Sequence, residues 1–234
     1  MKLAAAFLLA AVIGLSACSK ETDAPAQPAD APAPAITAAP ATPPAAQVAP
    51  PMSRELAARL IRPHSPVIGP ANARVTIVEV LDPACEGCAA FAPIVHGILF
   101  LHPDDVKVVM RFAAFHKGSD EAVRLLEAAR QQGKFEPMLD ALFARQAEWA
   151  SHEAPNIEHI WKIAADVGLD VARARREAAA PRVDEILRLE KEDTIALRVA
   201  QTPTFFVNER PMLEFGSQQL KALVESELER TKAP

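Results

Sequence analysis

The chain has 234 residues, a formal net charge of −5 at pH 7 and a pI of about 5.7. It contains no long basic run, so its composition gives no support for nucleic-acid binding. Half of the residues are hydrophobic, which is enough to build a buried core, although alanine contributes much of that share.

The first residues resemble a bacterial lipoprotein signal. The apolar run from Leu3 to Leu15 is too short to span a bilayer as a permanent helix. Leu15-Ser16-Ala17-Cys18 then resembles a lipobox, in which small residues precede the cysteine that receives the lipid. We predict a signal peptide over residues 1–17 and lipid attachment at Cys18; an ordinary secretory signal with an incidental cysteine is the alternative. The resemblance implies a lipid-anchored protein of the bacterial cell envelope that faces the periplasm, and Ser19 suggests the outer membrane.

Residues 18–52 are predicted to form a disordered tether behind the lipid. From about residue 20 the segment is almost entirely Ala, Pro, Gln, Thr and Asp, with no aromatic residue. Such a composition cannot bury a core and favours extended polyproline conformations.

The folded domain is predicted over residues 53–234, beginning with a short amphipathic helix over Ser53–Arg62. A buried strand over Arg74–Val80 leads through Asp82-Pro83-Ala84 into a helix whose apolar residues recur at i, i+3, i+4 and i+7. Pro93 lies inside that helix and should bend it. A second strand is predicted over Val106–Phe112.

A helical block follows the second strand, and a hairpin and a last helix follow the block. Its helices are predicted to begin at Ser119, before Phe135, at Asn156, at Asp170 and after Pro181. The hairpin pairs a strand over Thr204–Val207 with an edge strand over Pro211–Phe215, and Ser217 caps the final helix.

Cys85-Glu86-Gly87-Cys88 is the motif that carries chemistry, because two cysteines at this spacing can close and reopen a disulfide. The pair lies where a strand ends and a helix begins, where the helix dipole favours a thiolate. A zinc site would need a second ligand pair, which the three cysteines and the spacing of the histidines do not supply. A purely structural disulfide is the other alternative, but so short a loop stabilises a fold only weakly.

The order of these features resembles DsbA-like thiol–disulfide oxidoreductases of the thioredoxin-fold superfamily. The resemblance rests on Pro66 to Pro70, on the CxxC motif with Pro93, on the helical block and on Thr202-Pro203-Thr204-Phe205. It implies an α/β thioredoxin fold with a helical insertion at about 117–180. It also implies that Pro203 is cis and lies beside the CxxC motif.

The resemblance assigns roles to individual residues. Cys85, at the helix start, is expected to be the attacking thiol, and Cys88, one turn further in, to be the resolving thiol. The backbone of Thr202, beside Pro203, is expected to pair with an extended client peptide. Glu79 matches the buried acid of the family and could relay a proton to or from Cys88; an acid at an exposed strand end is the alternative.

The middle dipeptide departs from the Pro-His of strong oxidants. The carboxylate of Glu86 disfavours a second negative charge nearby, and Gly87 supplies no histidine, so the thiolate should be less stabilised. The sequence therefore predicts a mild oxidant, or a reductant or isomerase, acting on exported proteins together with a redox partner protein. No cofactor is expected. A copper(I) metallochaperone and a non-catalytic envelope scaffold are the alternatives. His116 is the candidate for an added copper ligand, but its position after the second strand favours a surface or core histidine.

Overall fold

The computed structural model describes residues 49–232. Within that range the chain forms five strands and nine helices. The strands are β1 Val67–Ile68, β2 Val75–Leu81, β3 Val106–Phe112, β4 Thr204–Val207 and β5 Arg210–Pro211. The helices are α1 Arg54–Leu60, α2 Glu86–Leu101, α3 Ser119–Gln131, α4 Phe135–Ala144, α5 Gln146–Trp149, α6 Ile157–Asp166, α7 Val171–Ala178, α8 Pro181–Ala196 and α9 Ser217–Arg230.

The five strands form one mixed sheet in the order β1-β3-β2-β4-β5. β2 lies at its centre, parallel to β3 and antiparallel to β4. Both β2 and β3 are rich in valine and buried on both faces, as expected for a parallel pair covered by helices. The CxxC motif follows the carboxyl end of this central strand, where α2 begins.

Successive residues of β2 enter two separate hydrophobic cores. Ile77 packs in the larger core with the apolar faces of α2 and α9, whereas Val78 packs in a smaller one with Leu60 of α1. The larger core continues into the helices between β3 and β4, and includes Leu126 and Met138. The described domain therefore consists of a helix-covered sheet with a helical layer built on the same core.

Six helices, α3 to α8, separate β3 from β4 in the sequence. The run continues through α8 to Ala196, beyond residue 180, where the inserted segment was predicted to end. The buried guanidinium of Arg111 in β3 connects α8 to the sheet. Its Nε lies 3.0 Å from Oε1 of Glu190, and its Nη2 lies 2.9 Å from Oδ2 of Asp193.

The structure corrects several local predictions. Residues 49–52 were assigned to the disordered tether, but Arg210 donates to the carbonyl of Ala49 at 2.6 Å and the amide of Met52 donates to Glu209 at 3.0 Å. The edge strand predicted over Pro211–Phe215 is shorter and covers only Arg210–Pro211. The remaining predicted tether, the signal peptide and Cys18 lie outside the described residues.

The predicted helix caps are only partly confirmed. Asp170 caps α7 through its side chain, which accepts from the amide of Arg173. Ser119 and Ser217 are first helical residues instead, each preceded by a glycine, and Asn156 makes no side-chain cap. The side chain of Ser119 does not cap α3, because its hydroxyl donates to the buried carboxylate of Asp82 instead.

Candidate active site

The CxxC motif lies at the N-terminus of α2, directly after β2. Cys85 is the N-cap residue, with extended backbone angles, and Cys88 lies within the first turn. Both are free thiols, and Cys85 is 8% exposed whereas Cys88 is fully buried. The strand end and the helix start therefore present one cysteine toward the surface and hold the other behind it.

The two thiols have different electrostatic surroundings. Burial raises the pKa of the Cys88 thiol well above its ordinary value, and the neighbouring Cys85 and Glu79 raise it further. The backbone amide of Asp82, 3.4 Å from the Cys88 sulfur, lowers this pKa, but the effect of burial is larger. Cys88 is thus held as a neutral thiol, which favours Cys85 as the attacking group.

The loop before β4 packs against the CxxC turn. The Thr202–Pro203 peptide bond is cis, as the family resemblance implied. The sulfur of Cys85 donates to the carbonyl of Thr202 at 3.3 Å, so the loop lies directly beside the reactive atom. A Cβ atom at Gly87 would lie 3.3 Å from the Cδ of Pro203, which shows how closely the two segments approach.

Glu79 is buried in the middle of β2 rather than exposed at a strand end. It is only 3% exposed and lies opposite Met110 on one neighbouring strand and Phe205 on the other. Burial raises the pKa of its carboxyl from the ordinary 4.5 to about 8. The protonated form is therefore favoured at neutral pH, as a proton donor near Cys88 requires.

Glu79 borders a small cavity of about 10 Å³, which is close to the space that one water molecule needs. His96 and Asp140 line the same cavity. These two side chains are partly exposed, and Nε2 of the histidine lies 3.6 Å from the carboxylate. The buried acid therefore shares a small cavity with two partly exposed polar side chains.

Asp82 is a site residue that the sequence analysis treated only as part of a turn. Its carboxylate is fully buried and accepts from the amides of Ala84 at 2.8 Å and Phe115 at 2.8 Å. It also accepts from Nδ1 of His116 at 2.8 Å and from the hydroxyl of Ser119. Asp82 thus joins the CxxC turn to the loop between β3 and α3 and to α3 itself. No sequence motif indicates this role, because Phe115, His116 and Ser119 are more than 30 residues away from Asp82.

The side chain of Glu86 is exposed, and it has a charged partner. Its carboxylate lies 2.8 Å from Nε2 of His152, between α5 and α6. A bond to its own backbone amide lowers the pKa of the Glu86 carboxyl, and His152 lowers it further. The negative charge that was predicted to oppose the thiolate therefore has a nearby histidine partner.

Within residues 49–232, no group of three or more His, Cys, Asp and Glu side chains is arranged to hold a metal ion. His116 is nevertheless close to the redox motif, through its bond to Asp82.

The same range contains no helix long and apolar enough to cross a membrane.

Comparisons with known proteins agree with this architecture. Residues 62–226 match the family model described as Thioredoxin. A thioredoxin-like oxidoreductase from Silicibacter pomeroyi DSS-3 is 30% identical, and the match covers 78% of this chain and 100% of that one with a TM-score of 0.65. BdbD from Bacillus subtilis shares the fold with a TM-score of 0.64 at 22% identity, over 78% of this chain and 98% of that one.

A further group of relatives is longer. The Na⁺/H⁺ antiporter NhaA of Herminiimonas arsenicoxydans is 32% identical over 165 residues, which is 70% of this chain and 26% of that protein. The chain thus spans about a quarter of the length of the curated relatives it matches. From the family match and the coverage of the thioredoxin-like oxidoreductase, the chain belongs to the thioredoxin family and has the DsbA-like fold with its inserted helices.

Proposed function

We propose that this protein exchanges thiols and disulfides with exported proteins through Cys85 and Cys88. The observation that carries the proposal is the placement of two free thiols at the start of α2, one beside the Thr202 carbonyl and the other buried. Exchange needs one sulfur that a client can reach and a second that can displace the client. Cys85, the more exposed of the two thiols, and the fully buried Cys88 lie within one helical turn and suit these two roles.

In the oxidising direction, a client thiolate attacks the Cys85 sulfur of the Cys85–Cys88 disulfide. The bond between the two cysteines breaks, Cys88 leaves with the electron pair and takes up a proton, and a mixed disulfide forms. A second client thiolate then attacks the client sulfur of that bond and releases Cys85. The client has lost two electrons, the cysteine pair has gained them, and a disulfide of the redox partner protein must reoxidise the pair.

In the reducing direction the same steps run backwards. The Cys85 thiolate attacks a client disulfide, and Cys88 must lose its proton before it can resolve the mixed disulfide. Burial disfavours the Cys88 thiolate, so a nearby proton acceptor is needed. Glu79 fills that role in its ionised form, which is the minority form at neutral pH because its pKa is about 8.

The direction of exchange depends on how strongly the Cys85 thiolate is stabilised. Glu86 opposes it, and no histidine stands in the middle dipeptide. We therefore propose a mild oxidant, or a reductant or isomerase, rather than a strong oxidant. The partial compensation of Glu86 by His152 keeps the oxidising direction open.

A lipid on Cys18 would hold the domain at the surface of a cell-envelope membrane, facing the periplasm. Membrane association of this kind of domain is supported by the longer relatives, which are named as Na⁺/H⁺ antiporters and carry a similar segment in their own chains. Exported proteins would then be the available substrates, together with a redox partner protein.

The test is mixed-disulfide trapping with an oxidised model client that has one accessible disulfide. Cys88→Ser cannot resolve the intermediate and should accumulate a covalent complex that dithiothreitol releases. Cys85→Ser, the matched control, should accumulate none. Equal trapping by both variants would contradict the assignment of the attacking thiol. Uptake of copper(I) by a wild-type protein that catalyses no exchange would favour the metallochaperone instead.

A further inference from the structure

The C-terminal end of α2 carries two adjacent apolar side chains that are open to solvent. Phe100 and Leu101 are the last two residues of the helix, and they are 84% and 68% exposed. Phe100 is the most exposed large hydrophobic residue between positions 49 and 232. Single exposed apolar side chains are ordinary, but an adjacent pair as exposed as this one is a candidate contact surface.

The chain enters the domain at the amino end of β2. The amide of Met52 donates to the carbonyl of Glu209 at 3.0 Å, in the turn between β4 and β5. The amide of the neighbouring Asn208 donates at 3.0 Å to the carbonyl of Thr76, the second residue of β2. The described part of the chain therefore begins beside the start of the central strand.

Phe100 and Leu101 lie at this same end of the domain. The amide of Val75, the first residue of β2, donates to the carbonyl of Asp105 at 2.9 Å. The amide of Asp105 donates at 3.2 Å to the carbonyl of His102, which is the C-cap residue of α2 and directly follows Leu101. We call this end of the domain the tether end; it comprises residues 52, 75–76, 100–105 and 208–209.

The redox site lies at the opposite end of α2. The helix has 16 residues and begins directly after Cys85. At 1.5 Å per residue its length places Cys85 about 24 Å from Leu101. A flat surface that touched Phe100 and the entering chain together would therefore leave Cys85 uncovered.

Charge does not make the tether end attractive to an anionic surface. The charged residues that follow the apolar pair most closely in the sequence are Asp104 and Asp105, and Glu225 lies 3.0 Å from Nε2 of His102. Lys107 is the nearest following cation, and its ammonium group donates to a backbone carbonyl at 2.9 Å. The apolar pair itself must therefore supply the attraction, which favours the hydrocarbon of a bilayer over a charged partner.

We propose that the tether end rests on the surface of a bilayer, with Phe100 and Leu101 inserted among the lipids. The predicted lipid on Cys18 and the segment between it and Met52 keep the domain close to that surface. A contact too weak to hold a free protein is then occupied, because the tether raises its effective concentration. The CxxC motif faces away from the membrane, toward exported proteins. The inference rests on the lipid attachment within the proposed function and not on the chemistry of the cysteines.

The test places a tryptophan at the proposed contact. The mature protein, acylated at Cys18, is reconstituted into phosphatidylcholine vesicles whose acyl chains are either plain or brominated, because bromine quenches indole emission. Phe100→Trp should add a blue-shifted emission that is largely lost in the brominated vesicles. Trp149 and Trp161 are buried, so the wild-type protein supplies the background signal. Phe115→Trp, an exposed site beside the redox motif, is the matched control and should not be quenched.

A second measurement does not depend on acylation. The mature chain with Cys18→Ser is sedimented with neutral phosphatidylcholine vesicles at high lipid concentration. Adding Phe100→Ser should lower the ratio of bound to free protein about tenfold, as expected when one phenylalanine is no longer buried. Adding Phe115→Ser instead should leave the ratio unchanged.

Equal emission of Phe100→Trp in plain and brominated vesicles, or equal quenching of both tryptophan variants, would overturn the inference. Self-association that Phe100→Ser abolishes, without any binding to vesicles, would assign the apolar pair to a second copy of the chain and overturn it as well. If Cys18 carries no lipid, the attachment proposed above fails, and the sedimentation result still decides the role of Phe100. Mixed-disulfide trapping by Cys88→Ser is independent of all these outcomes.

Discussion

Replacing Glu79 by glutamine should change how the stability of the domain depends on pH. The wild-type carboxyl is buried with no salt-bridge partner among residues 49–232, and burial raises its pKa from 4.5 to about 8. In the unfolded chain the group ionises above about pH 4.5, whereas in the folded protein it stays protonated up to about pH 8. The unfolded state is therefore favoured progressively as the pH rises through that window.

The size of the effect follows from the change in proton affinity. Each tenfold change is worth about 1.36 kcal/mol, so a pKa that moves from 4.5 to about 8 corresponds to about 5 kcal/mol. That contribution to stability is fully present below pH 4.5 and is lost by about pH 8. Glutamine cannot ionise, so the variant should lack this loss.

The assay is urea unfolding of wild type and Glu79→Gln at several pH values from 4.5 to 8.5. Glutamine has a similar size, so any packing cost should be the same at every pH, and the two curves should converge or cross as the pH rises. Glu136→Gln, an exposed site on α4, is the matched control and should keep the wild-type slope. Parallel pH dependence for wild type and Glu79→Gln would refute the reasoning.

Three further predictions concern other parts of the chain. Asp193→Asn should cost about 3–5 kcal/mol in urea unfolding, because it breaks a buried network that leaves Arg111 underpaired; an unchanged midpoint would contradict this. Glu86→Gln should shift the glutathione equilibrium about two- to fivefold toward the reduced pair at neutral pH, by removing an exposed charge next to Cys85; no shift would show that Glu86 does not tune the site. Cys18→Ala should leave the domain folded but remove it from the membrane fraction, and undiminished membrane retention would contradict lipid attachment at that residue.

Much of the fold could be predicted because its signals are local. The valine-rich runs of β2 and β3 and the helical spacing after Cys88 are periodic patterns that short stretches of sequence carry by themselves. The strand predicted over Val106–Phe112 has those bounds in the structure. The cis bond before Pro203 was inferred from the family resemblance, since the sequence before a proline does not determine it.

The rest of the site depends on contacts between distant residues. In the sequence Asp82 has the features of a turn residue only. Its contact with His116, 34 residues further along the chain, is visible only in the structure. Glu86 has no charged partner nearby in the sequence, whereas in the structure it contacts His152, 66 residues away. Such pairs are set by how the helices pack over α2, and packing over that distance leaves no periodic trace in one sequence.

The network around Asp193 shows the same limit. Burial alone would raise the pKa of its carboxyl, but hydrogen bonds from Arg62, Arg111 and Arg59 outweigh it and hold the pKa at about 2. In the sequence these residues are isolated charges on separate elements, and no pattern pairs them. The structure brings them together because α1 and α8 meet over the same end of β3.

The central claim is that Cys85 and Cys88 form a redox pair that exchanges with thiols. The most direct measurement is equilibration of the intact protein with glutathione buffers of graded ratio, with the two thiols counted by alkylation and mass spectrometry. We predict a single two-electron transition with a midpoint between about −270 and −120 mV, the values for thioredoxin and DsbA. Two cysteines that remain thiols in every buffer, or that titrate independently of each other, would contradict the account.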